Sequence, residues 1–101
     1  MSVLRHHPVA DYASVVTDTT QFIDVRRPDE VAQGGIAGAL NIPNEELADR
    51  VGELDPQRRT VLLCRSGNRS TQAGEFLAAA GFVDVVNLDG GMIAFEKEGQ
   101  Q

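Results

Sequence analysis

The chain has 101 residues, a length that holds one domain around one modest core. Hydrophobic residues make up 42% and charged residues 24%. These are ordinary globular proportions, which exclude a mainly disordered chain, and no apolar run approaches the ~20 residues of a membrane-spanning helix. Fifteen acids against eight arginines and one lysine, Lys97, leave a net charge of −6. That balance argues against a nucleic-acid groove or an anionic-membrane surface, both of which need clustered positive charge.

Residues 1–9 carry two histidines, an arginine and a proline but no apolar core, so no secretory signal is visible and a cytoplasmic location is expected. His6 and His7 have no Cys, Asp or Glu at ligand spacing, so no metal is assigned and no cofactor is expected. The remaining signals alternate between strand and helix over residues 1–101, which predicts one α/β domain with a mostly parallel sheet. Residues 2–5 are expected as a short edge strand. A short helix over 8–16 follows, with Val9, Tyr12, Ala13 and Val16 on one face. A buried strand is expected at 21–25. Pro28 then opens a short helix, with Asp29 and Glu30 in its first turn and Gly34-Gly35 at its end.

Another brief strand is expected at 39–42. Asn44 is placed as the N-cap of a helix that carries Leu47, Val51 and Leu54 on its inner face. Residues 60–63 form a second buried strand. The strongest helix spans 70–80, with Ser70 as N-cap and an apolar stripe of Ala73, Phe76, Leu77 and Ala80. Gly81 and Phe82 close it in a Schellman turn. A strand over 83–88, a tight turn at Gly90-Gly91 and a final helix over 92–98 complete the order.

The single cysteine is the residue with chemistry to explain. A lone cysteine after a strand is often a small buried hydrophobe. Cys64, however, stands between Val61-Leu62-Leu63 and Arg65-Ser66-Gly67-Asn68-Arg69-Ser70, at the carboxyl end of a strand where open α/β sheets bind ligands. Two arginines around Ser, Gly and Asn make a poor core but a good anion cradle. Backbone N–H groups turned inward, the following helix N-terminus and both guanidinium groups would hold the sulfur as a thiolate at neutral pH. The expected site is therefore Cys64 as nucleophile, with Arg65, Ser66, Gly67, Asn68, Arg69 and Ser70 as the cradle. Arg69 is expected to close it.

Four segments in order, Phe22-Ile23-Asp24-Val25-Arg26, Gly38-Ala39-Leu40-Asn41-Ile42-Pro43, Cys64-Arg65-Ser66-Gly67-Asn68-Arg69-Ser70 and Leu88-Asp89-Gly90-Gly91-Met92, resemble the rhodanese homology domain over residues 21–98. The resemblance implies a five-stranded, mostly parallel sheet flanked by helices on both faces. It also implies a sulfurtransferase that accepts a sulfane sulfur from thiosulfate or a similar donor as a Cys64 persulfide and passes it to cyanide, a thiol or a protein acceptor. Two positions depart from the family. Gly35 stands where a histidine is common, which bears on local packing, and Phe95 stands in place of a tryptophan as an aromatic core anchor.

Two other functions use the same residues. A persulfide carrier or sensing module would need the same thiolate and cradle but would act on a partner protein. Phosphatases and arsenate reductases of related fold use a Cys-to-Arg anion loop with five intervening residues. Here four separate Cys64 from Arg69, a tighter ring that suits sulfur better than a tetrahedral oxyanion. Asp24 and Arg26 are read as a structural pair, Asp89 as a turn former, Met92 and Phe95 as core, and the acidic run Glu45, Glu46, Asp49 and Glu53 as a solvated helix face.

Overall fold

The strands predicted at 21–25, 60–63 and 83–88 pair to form the centre of one sheet, the last of them lying at 85–89. A computed structural model describes residues 3–98. Strands β1 (Leu4–Pro8), β2 (Gln21–Asp24), β3 (Leu40–Asn41), β4 (Thr60–Leu63) and β5 (Val85–Asp89) lie in the order β1-β5-β4-β2-β3. Every pairing is parallel, so the expected mostly parallel sheet is wholly so. The edge strand predicted from residue 2 starts at Leu4 and runs on to Pro8; Ser2 lies outside the described residues. Pro8 is tolerated because it ends an edge strand, where no neighbour requires its missing N–H.

Side chains alternate across the sheet and fill a core on each face. Val61 and Leu63 pack with Phe22, Val86, Leu88 and Met92 on one side; Leu62 and Cys64 pack with Ile23, Val25, Leu77 and Val85 on the other. Helices α2 (Leu47–Arg50) and α3 (Asn68–Ala79) supply Leu47, Ala73 and Leu77 to the second face. The 3-10 segment Val9–Ser14 and α4 (Gly91–Lys97) supply Val9 and Met92 to the first. Burial of a leucine such as Leu62 or Leu77 stabilises the fold by about 1.5–3 kcal/mol. Phe95 does act as an aromatic anchor. Its ring meets Tyr12 edge-on at 6.0 Å, and Tyr12 stacks on Phe22 at 6.1 Å.

Several local expectations change. Helix α1 is only Pro28–Val31, with Pro28 at its first position as predicted. The segment after β3 is not one helix but a 3-10 turn Asn44–Glu46, then α2, then a 3-10 turn Val51–Glu53. Asn44 is not its cap. Pro43 holds that place, and the Asn44 N–H donates to the Val25 carbonyl at 2.9 Å, tying the segment to the end of β2. In α3 the inner face is Ser70, Ala73, Gly74 and Leu77, whereas Phe76 is 40% exposed and Ala80 is also on the surface. Gly74 lets the helix approach the sheet so closely that a Cβ there would stand 2.7 Å from Leu4 Cδ1 on β1. The Schellman turn forms as expected, with the Phe82 N–H on the Leu77 carbonyl (3.1 Å) and the Gly81 N–H on that of Ala78 (3.2 Å).

Candidate active site

Strand β4 ends at Leu63, and Cys64 is the first residue beyond it, with no exposed surface. The chain then turns through Arg65 and Ser66, both exposed, to Gly67. Gly67 has φ +104°, a left-handed conformation that a side chain would strain, and it, not Ser70, is the N-cap of α3. That turn aims the Gly67 N–H at Cys64 Sγ, which accepts it at 2.9 Å.

Because the N-cap lies three residues earlier than expected, Ser70 lies inside the first turn and faces inward. Its Oγ is 3.1 Å from Cys64 Sγ and donates to Asn87 Oδ1 on β5. A second tie comes from α4, whose first free N–H groups hold the loop backbone: Met92 donates to the Cys64 carbonyl (2.9 Å) and Ile93 to that of Arg65 (3.0 Å).

The predicted cradle residues therefore separate. Gly67 and Ser70 are the hydrogen-bond partners of the sulfur, while Asn68 is on the surface. Arg69 reaches across to α1 instead, where its fork grips Glu30 in a bidentate pair, Nη1 to Oε1 at 2.6 Å and Nη2 to Oε2 at 2.9 Å. This pair holds the Glu30 carboxyl down at about 2, chiefly through the hydrogen bonds from Arg69 and against the cost of burial. In turn Arg69 is held above its ordinary value, first by Glu30 and, more weakly, by the nearby Cys64 sulfur and Asp24.

The sign of the resulting pH dependence is direct. Glu30 binds its proton less readily folded than unfolded, so its stabilisation is complete above the ordinary carboxyl value of 4.5 and fades as pH falls towards about 2. With Arg69 partly in water, the pair contributes about 1–2 kcal/mol. Glu30→Gln is expected to lose that amount at neutral pH and to have a shallower acid limb, read by urea unfolding at neutral pH and in mild acid.

Asp24 and Arg26 form the structural pair expected of them. Arg26 Nη2 lies 2.7 Å from Asp24 Oδ2 and also donates to the Gly34 carbonyl at 2.8 Å, so the pair braces the α1 turn. Gly35 sits directly over it. A Cβ there would stand 3.1 Å from Arg26 Nη2, which is the packing consequence of having glycine at this position. Between α1 and α4, beside the loop, lies an open cavity of about 240 Å³, and Arg26, Glu30, Arg65, Ile93 and Glu96 are among the residues that line it.

Asp89 receives Asn87 Nδ2 at 2.9 Å and lies 3.2 Å from His6 Nδ1, and His7 pairs with Asp11. Glu30 and Asn87 were not singled out from the sequence as site residues. Asn87 carried a readable signal, a polar residue within the apolar run Val85-Val86-Asn87-Leu88, and it is 1% exposed.

The chain and its fold are similar to those of known proteins. The family model described as "Rhodanese-like domain" matches residues 10–98, a longer span than the motifs alone. The chain is 41% identical over 83 residues to a protein named sulfurtransferase from Allochromatium vinosum, covering 82% of this chain and 78% of that one. It is 35% identical over 98 residues to thiosulfate sulfurtransferase GlpE of Shewanella oneidensis, covering 96% and 97%. Among solved structures, a rhodanese-related protein from Thermoplasma volcanium superposes with a TM-score of 0.82 at 34% identity, over 94% of this chain and 93% of that one. A rhodanese-like domain protein from Staphylococcus aureus gives 0.82 at 30% identity, over 94% of each. Sequence and fold agree: this chain belongs to the rhodanese-like domain family.

Proposed function

We propose that this protein is a sulfurtransferase that takes a sulfane sulfur from thiosulfate, or a donor like it, onto Cys64 as a persulfide. The observation that carries this reading is the sulfur itself: it stands directly after β4, accepts the Gly67 N–H at 2.9 Å and lies 3.1 Å from the Ser70 hydroxyl. Relatives that match most of the chain bear thiosulfate sulfurtransferase in their names and support the same chemistry.

In the first step the Cys64 thiolate attacks the outer sulfur of thiosulfate. The Cys64–sulfur bond forms as the donor's S–S bond breaks, and sulfite leaves with the electron pair. An acceptor thiolate or cyanide then attacks the terminal sulfur, takes it as persulfide or thiocyanate, and returns Cys64 as the thiolate. The Gly67 N–H, aimed at the sulfur, stabilises the charge in both steps. The exposed Arg65 beside the cavity supplies local positive charge for an anionic donor, against the chain's net charge of −6.

Intact-protein mass spectrometry tests the reading. Incubation with thiosulfate is expected to add one sulfur atom, and a cyanide chase to remove it with release of thiocyanate. A sulfur that loads but leaves only to a protein thiol would identify a carrier. Folded protein that gains no sulfur, its Cys64 still open to alkylation, would overturn the proposal.

A further inference from the structure

Behind the sulfur, opposite the loop, runs a line of side chains that the sulfur-transfer steps do not use. Ser70 Oγ donates to Asn87 Oδ1, Asn87 Nδ2 donates to Asp89 Oδ1 at 2.9 Å, and Asn87 Nδ2 lies 3.1 Å from His6 Nδ1. The orientation of the Asn87 amide is forced. An ionised carboxylate only accepts, so the nitrogen must face Asp89 and the oxygen must face Ser70; turned over, two acceptor oxygens would meet.

A hydroxyl has one proton, and here Ser70 donates it to Asn87 Oδ1. Ser70 Oγ therefore presents only lone pairs to Cys64 Sγ, 3.1 Å away. Two lone-pair atoms at that distance need a proton between them, and the sulfur has to supply it. The resting arrangement is Sγ–H to Ser70 Oγ and Ser70 Oγ–H to Asn87 Oδ1.

When the sulfur ionises, that contact reverses its demand. The thiolate calls for a donor, and Ser70 meets it by rotating its proton off Asn87. Asn87 Oδ1 is then left without that donor in a side chain 1% exposed. We propose that Asn87 is a positioning residue for Cys64, which holds the Ser70 proton away from the sulfur in the resting enzyme and so opposes thiolate formation. It acts only through Ser70.

The charged groups around this line are Asp89 on β5 and His6 on β1 behind Asn87, and Arg65 in the loop and Arg69 on α3 on the sulfur side. Glu30 of α1 pairs with Arg69. Substitution at position 87 also removes the amide nitrogen that meets Asp89 and His6, an effect that the Ser70→Ala background retains and so separates from the one routed through Ser70.

This inference rests on Cys64 being the nucleophile, and its test separates it from the sulfurtransferase reading. The rate of iodoacetamide alkylation of Cys64 is followed from about pH 5 to about pH 10 in wild type, Asn87→Leu, Ser70→Ala and the double variant. With no acceptor at position 87, Ser70 is free to donate to the sulfur. The midpoint in Asn87→Leu is expected about one unit lower, with about tenfold faster alkylation on the acid limb. Ser70→Ala is expected to move the midpoint the other way, and Asn87→Leu to add nothing in that background. Circular dichroism checks the fold, and Asn87→Ala, which also lacks the acceptor, replaces the leucine variant if the larger side chain unfolds the strand.

An unchanged midpoint in the folded variant overturns the inference, as does an equal shift in the Ser70→Ala background, which would mark a general packing effect. Thiosulfate loading of the wild type is measured alongside. Wild type that loads sulfur, with no shift in the variant, defeats the positioning role alone; a shift in wild type's variant without any loading defeats the sulfurtransferase reading alone.

Discussion

In Cys64→Ser, thiosulfate-dependent sulfur loading falls below detection while the fold survives. A serine hydroxyl at this position can still accept the Gly67 N–H and meet Ser70 Oγ, so the buried site keeps its hydrogen bonds. The cost to stability is about 1 kcal/mol, a fall in Tm of about 4–8 °C for a chain of this size. The chemistry does not survive, because an alcohol without an adjacent general base is a poor nucleophile and forms no persulfide. Intact mass after incubation with thiosulfate, together with a thermal melt, checks both halves. A folded Cys64→Ser protein that still gained sulfur would place the carrier sulfur elsewhere and end the assignment, because Cys64 is the only cysteine in the chain.

Gly91→Ala is expected to be the most damaging small substitution in the molecule. Gly91 has φ +55°, and a Cβ there would overlap the carbonyl oxygens of both Cys64 and Arg65. The left-handed conformation alone costs about 1–2 kcal/mol with a side chain. The overlap is with backbone, which cannot turn aside as a flexible side chain would, so the total reaches about 3–5 kcal/mol. Function falls with stability. Relief requires α4 to move off the loop, and the N–H groups of Met92 and Ile93, which hold the Cys64 and Arg65 carbonyls, move with it. Urea unfolding and sulfur loading are measured on the same preparation, with Gly52→Ala as control. A Cβ at Gly52 meets nothing within 4 Å, so both readings there should match wild type. A Gly91→Ala protein as stable as wild type would show that α4 does not clamp the loop.

What was legible before the structure was local. The runs at 21–25 and 60–63 are apolar because their strands are covered on both faces, and a residue between two helical layers has no polar side to show. The loop from Cys64 to Ser70 is contiguous, so its place between a buried strand and a helix was readable from the sequence. Gly81-Phe82 closed α3 because a Schellman turn is made within six consecutive residues. The pairing of Asp24 with Arg26 was readable for the same reason, the two being neighbours on one strand end.

Tertiary structure alone decided the rest. Arg69 was expected on the sulfur but grips Glu30, 39 residues away, because the sheet order brings α1 against the start of α3. Ser70 had the composition of an N-cap, yet the left-handed turn at Gly67 starts the helix earlier and rotates Ser70 inward to Asn87 on the neighbouring strand. Phe76 fits the helical period but lies outside the strip of α3 that the sheet covers, where the small residue Gly74 sits instead. By itself the sequence determined which segments are buried and that the one cysteine stands between a buried strand and a helix, since each depends on residues adjacent in the chain. The partners of its surroundings, Glu30 for Arg69 and Asn87 for Ser70, depend on parallel strands joined by crossovers, which juxtapose residues distant in sequence, and no local pattern records those meetings.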